Sequence, residues 1–366
     1  MTGLLPGRAG CLVLCSLLGG LGVPTLARAA AVQLPTSHLG NIHYPQPSPD
    51  GSKLVYEVDY PSEKRMELQM ADLGPGGMGA PRLLVPETMG TSDRYGAGRR
   101  ITHLFGWAAP QQKYGFAYTV SDAQGLQSVY IDGWSTMIAE GVNKEPTWAP
   151  EGARFVFTSN RTGNGDLYLW DEGQELQLTF DEVHSEIYPA WTPQGDKLAF
   201  VRAGKGPTQI MLLELSGFSP VPLLSFPGKD STRPSFSPDG SKVAFLSNKA
   251  TDSPTSFGLW VVDARPGGTP RSIGPKVRVP TKGACSWTPD GKAVIAVLDD
   301  PDAGDPIGVF PIDGGPVRIL ATGTVNNWDP RLVVRDGQWR LYFTSQGLDA
   351  ADDKVWQTLW VYDIPR

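Results

Sequence analysis

The chain has four histidines, His38, His43, His103 and His184, and each stands in a segment that leads into a recurring bulky position. His43 and His103 lie four residues before Pro47 and Trp107; His184 occupies the corresponding lead-in to Trp191, and His38 lies upstream of His43. Imidazoles converging there with carboxylates such as Glu145, Glu186 or Asp329 would suit a divalent transition metal. The same lead-ins place His43, Tyr44, His103, Lys144, Glu145, Tyr188, Arg233 and Asp329 three or four residues before the recurring positions. Aromatic rings and a guanidinium among acids are the makings of a recognition surface. These eight are the expected ligand-binding residues, with no catalytic residue and no cofactor; a divalent metal is the alternative. Beyond residue 29 there is no GxSxG elbow, phosphate loop, HExxH or CxxC pattern, so no familiar catalytic constellation accompanies them.

The elements that must hold these residues are written most clearly between Glu145 and Phe180. Pro146 to Pro150 reads as a short strand carrying Trp148. The pair Glu151-Gly152 turns the chain, and Phe155 and Phe157 then alternate with Arg154 and Val156, the period of a strand whose faces differ. Leu167 to Trp170 and the stretch bearing Leu176 and Leu178 supply a third and a fourth strand. A bulky residue recurs at Pro47, Trp107, Trp191, Phe236, Trp287 and Val333, at separations (including Trp148) of 60, 41, 43, 45, 51 and 46 residues. Four residues after most of these stands a turn glycine: Gly51, Gly152, Gly195, Gly240, Gly291 and Gly337. Spacings of roughly 40 to 50 residues are those of propeller blades built from four strands. The expected fold is therefore all-β: a seven-bladed propeller of four-stranded antiparallel blades. Its last copy has only three strands, and Val32 to Thr36 is expected to add as the missing outer strand and close the ring.

Residues 1–29 read as a signal peptide: Arg8, a short apolar run from Cys11 to Val23, and Ala27-Arg28-Ala29 before the cleavage point. Residues 30–366 then form the propeller, with no membrane span after cleavage and a periplasmic or secreted location. Losing Arg8 and Arg28 takes the formal charge from −6 to −8. Such an acidic chain is a poor ligand for phosphate backbones, so no nucleic-acid partner is expected. Cys285 is the single cysteine beyond the leader, which leaves no internal disulfide and suggests a small buried apolar side chain.

The strings PSPDGSKLVY, PTWAPEGARFVF, PAWTPQGDKLAF, PSFSPDGSKVAF and SWTPDGKAVIA resemble the PD40 or WD40-like propeller repeat, found in the propeller of the periplasmic Tol-system protein TolB. The resemblance implies an exported, non-catalytic propeller that binds an envelope protein or lipoprotein at its channel mouth. It also implies two departures, since TolB carries an α/β domain ahead of its propeller and a six-bladed ring. Propeller lyases acting on uronate oligosaccharides resemble the histidine arrangement; they imply the alternative, a metal-assisted lyase or hydrolase of extracellular polysaccharide, with an oligosaccharide as partner.

Overall fold

The computed structural model describes residues 30–36, 40–60, 65–84, 100–108, 115–121, 126–131, 137–224, 226–251, 253–346 and 357–365, with the backbone alone at 65, 100–106, 121 and 137. These residues form antiparallel four-stranded blades and one short 3-10 turn, Pro301–Ala303, capped by the side chain of Asp300. The repeat first read between Glu145 and Phe180 consists of strands Asn143–Trp148, Arg154–Ser159, Asp166–Asp171 and Gln174–Gln177, paired in that order.

Alternation along these strands has a consequence that polarity alone did not reveal. Phe155 and Phe157 pack with Tyr168 and Trp170 against Ala117, Val129 and Ile131 of the preceding repeat. Val156, Leu167 and Leu169 pack on the other side, against Leu198, Phe200 and Met211 of the following one. Successive side chains of a strand point to opposite faces, so odd and even residues serve different neighbours and both faces are buried. The same pattern runs through seven apolar clusters, each drawn from two successive repeats. At roughly 1.5–3 kcal/mol for each large apolar side chain removed from water, these clusters are the main source of stability.

Strand pairing corrects the expected count of separate sheets. Seven were expected; the described residues form six, five of four strands and one of nine. The nine-stranded sheet unites the first two repeats, because Met66 and Arg100 form one parallel bridge between the strands Arg65–Gly74 and Arg100–Trp107. The recurring bulky residue closes the inner strand of six repeats, from Pro47 to Trp287. In the last repeat the equivalent position is Leu332 rather than Val333, since Leu332 faces Leu341 across the hairpin just as Trp191 faces Leu198. A hairpin longer by two residues hid this shift from the spacing.

Three tryptophans do more than fill space. Trp107 Nε1 donates to Gln46 O (3.0 Å), Trp191 Nε1 to Thr147 O (2.8 Å) and Trp287 Nε1 to Ser235 O (3.2 Å). Each acceptor immediately precedes the bulky residue of the repeat before, so each indole latches neighbouring inner strands. The turn glycines have φ of 67–75°, a region that L side chains enter at a cost. Cys285 is buried immediately before the two-residue strand Ser286–Trp287, and burial pushes its thiol up to about 12.

The seam forms as expected but is shorter. Val32 pairs with Val361 and Gln33 with Trp360, and the Leu34 amide donates to Leu359 O at 2.8 Å. Pro35 has no N–H to continue the ladder. Leu34 is buried with Ile42, Leu54 and Val333, tying the seam to the first repeat. Among the described residues, no helix is long and apolar enough to cross a membrane.

Trp191→Ala should lower the unfolding free energy by about 3–5 kcal/mol in urea titrations, with Trp191→Phe falling between it and the wild type because the ring remains while the donor is lost. Removing residues 30–36 should expose the outer edge of the last blade and produce self-association in light scattering; a monomer with unchanged melting would refute the seam's role.

Candidate functional site at the channel mouth

Five inner strands share an irregularity built from the same two-residue pattern: Tyr44-Pro45, Glu145-Pro146, Tyr188-Pro189, Arg233-Pro234 and Asp329-Pro330. Proline cannot donate to the ladder, and the register slips at each of these sites. The residue before proline takes φ of 55°, 60°, 54°, 56° and 48°, respectively. A non-glycine residue there costs on the order of 1–3 kcal/mol, and such strain gathers at sites where a bulge re-aims a side chain. All five belong to the expected ligand-binding set.

Glu145, Tyr188 and Arg233 come from consecutive repeats and line one cavity of about 390 Å³, floored by Trp148, Trp191 and Phe236. Glu145 is buried, and its Oε2 accepts the Tyr188 amide at 2.7 Å. Burial raises its carboxyl above the usual range, against the pull of Lys144 and Arg233. The Arg233 guanidinium lies over the Tyr188 ring, 3.9 Å from its centroid, a cation–π contact.

The opposite side of the mouth is occupied by the chain itself. The sixth repeat, like the second, has no X-Pro pair at this position, and its lead-in, Thr281 to Ala284, is gripped by side chains from three other repeats. Asp329 Oδ1 accepts the Thr281 amide (2.9 Å), Arg233 Nη2 donates to Thr281 O (3.2 Å), and Arg331 donates to Lys282 O (2.6 Å) and to Ala284 O. Lys282 forms an ion pair with Glu57, a buried acid whose carboxyl burial raises. Gly283, at φ 66°, fits because a Cβ would stand 2.5 Å from the Tyr44 hydroxyl and 3.0 Å from Arg331 Nη2.

The eight expected residues therefore separate. Glu145, Tyr188 and Arg233 share the cavity, whereas Asp329 and Tyr44 hold or abut the Thr281–Ala284 strap, with Tyr44 under Arg331 at 4.9 Å. His43 lies between Tyr44 and the strand bearing Glu57 and Asp59; burial lowers its affinity for a proton, against the opposing pull of Asp59 and Asp329. Lys144 pairs in register with Thr158 and is not part of the cavity lining. His103 pairs in register with Thr119, but its side chain, like all of His38, lies outside the described residues. His184 contacts Asp181, with Nδ1 3.1 Å from Oδ1, in a cluster with Arg202 and Glu186. Among the described residues no group of three or more His, Cys, Asp or Glu is placed to hold a metal. Arg331, Lys282, Gly283 and Glu57 were missed; two of the seven lead-ins lack the proline, those of the second and sixth repeats, and this did not single out the sixth.

A ring of four-stranded blades whose inner strands carry a polar mouth defines a β-propeller, and part of it is similar to the propeller of TolB. Residues 135–266 match the family described as the TolB beta propeller domain. An uncharacterized protein of Agrobacterium fabrum is 25% identical over 179 residues, covering 44% of this chain and 60% of that one. The Tol-Pal system protein TolB of Desulfosudis oleivorans is 30% identical over 104 residues, covering 27% and 24%. The chain thus spans less than two thirds of these curated relatives. Prolyl oligopeptidase B from Galerina marginata shares the fold, with a TM-score of 0.62 at 15% identity over 88% of this chain and 49% of that one.

Glu186 supplies a pH-dependent test of the neighbouring cluster. It is fully buried, and burial lifts its carboxyl from 4.5 to about 7 despite Arg202 at 3.2 Å. The folded protein holds this proton more tightly than the unfolded chain, so the resulting stabilisation is complete below the unfolded value and is lost as pH rises through the folded one. Glu186→Gln should therefore gain stability relative to wild type between about pH 5 and about pH 8, read as diverging urea midpoints.

Proposed function

We propose that this chain is an exported, seven-bladed TolB-like propeller that binds a protein partner of the cell envelope at its channel mouth. The observation that carries the reading is the set of five strained X-Pro bulges, three of which deliver Glu145, Tyr188 and Arg233 to one cavity. Strain repeated at five equivalent places, where an ordinary strand would serve packing as well, points to selection for what those side chains touch. Aromatic and arginine side chains around a desolvated floor are the residue types that dominate protein recognition. The seven-blade count draws support from the seven inter-repeat clusters and from the single bridge that joins the first two repeats.

Export is supported by the leader-like residues 1–29 and by similarity to a protein named for the Tol-Pal system. It places the propeller, residues 30–366, in the periplasm or outside the cell, with an envelope protein or lipoprotein as the partner class. Fractionation followed by N-terminal sequencing should find a chain beginning at Ala30; an intact Met1 in the cytosolic fraction would overturn export.

Binding is tested by affinity capture from envelope extract. Tyr188→Ala should weaken capture of the principal partner by about 10- to 30-fold, the loss expected of a recognition hot spot. Lys197→Ala, at a partly exposed ion pair with Glu214, should leave it unchanged. Equal capture by both variants would remove the channel mouth as the binding surface.

A further inference from the structure

The cavity and the strap together restrict what the mouth can hold, and this inference rests on the channel-mouth reading. Three charged side chains that would otherwise face a ligand are committed within the chain. Arg331 is engaged by two carbonyls of the strap, Lys282 by Glu57, and Asp329 by the Thr281 amide. Among the described residues lining the cavity, Arg233 is the sole cation, and one acceptor, Thr281 O, takes one of its five N–H donors. The one acid of the lining, Glu145, already accepts the Tyr188 amide. The open cavity thus offers a guanidinium with unspent donors, 3.9 Å from the centroid of the Tyr188 ring, in a lining that includes two indoles and a phenyl ring.

We infer that this cavity takes the C-terminal residue of a peptide chain, its carboxylate on Arg233 and its apolar or aromatic side chain on Trp148, Trp191 and Phe236. A planar guanidinium with free donors matches a carboxylate in two parallel hydrogen bonds. The volume of about 390 Å³ lies at the lower end of small-ligand sites and suits a chain terminus rather than a folded surface. Gly283 and Ala284 of the strap line the cavity together with Arg233, so the strap forms part of the wall that a terminus would meet.

The test compares N-acetyl-phenylalanine with N-acetyl-phenylalaninamide by tryptophan fluorescence and calorimetry on the protein from residue 30. The acid should bind at least about tenfold more tightly than the amide, a charge-assisted pair being lost in the latter. Arg233→Gln should erase that preference, and Arg233→Lys should restore part of it, with circular dichroism confirming that both variants fold. Equal affinities, no binding of either compound, or a preference for digalacturonate over the acetylated amino acid would overturn the assignment. Envelope capture separates this from the broader reading. If Tyr188→Ala loses the partner while Arg233→Gln keeps it, the channel mouth stands and the carboxylate falls; if neither variant changes capture, the mouth itself falls.

Discussion

No repeat in this chain can bury its own faces, and that constraint governs the rest of the structure. A four-stranded antiparallel sheet has two apolar sides here, with Phe155 and Phe157 on one and Val156, Leu167 and Leu169 on the other. Each side needs a neighbour, and the neighbour needs another, until the series returns to its start. The short strand Val32–Gln33 completes that return by pairing beside Gln357–Asp363, and Leu34 carries the core across to the first repeat. Tryptophan latches between inner strands set the approach of adjacent blades more tightly than apolar contact alone would.

Because the blades are fixed from both sides, the inner strands can tolerate backbone that a looser fold would relax. Five residues hold φ between 48° and 60° ahead of proline, and each is flanked by regular pairing on both sides of the slip. The surplus stability of the clusters offsets this strain. The result is a mouth whose side chains are positioned by rigid strands rather than by loops, with the segment Thr281 to Ala284, one of two lead-ins without the proline, filling one flank.

Much of this was legible in the residues themselves. The tryptophan spacing and the turn glycines marked the repeats, and a position three or four residues before each bulky residue picked out all five bulge residues, because local patterning specifies strands and turns directly. Three things were not legible. The fusion of the first two repeats depends on one bridge, Met66 to Arg100, between segments with no shared motif. The Leu332 position was obscured by a hairpin two residues longer than its counterparts. The Lys282–Glu57 ion pair joins residues 225 positions apart, and nothing near either one in the chain announces the other. Lys144 stands at the same spacing as its neighbour, but it pairs in register with Thr158 while Glu145, at the bulge, lines the cavity.

The seam between the two chain ends also bears on the order in which the molecule assembles. Gln33 meets Trp360, Lys282 meets Glu57, and Arg335 donates to Leu73 O, contacts that span most of the chain, whereas each blade is made from neighbours in sequence. Loop-closure entropy delays pairings of such long range until the local hairpins exist. Individual blades thus nucleate early and the ring locks late. Interactions at the seam and under the strap accordingly govern the rate at which the native ring opens, far more than the rate at which it forms.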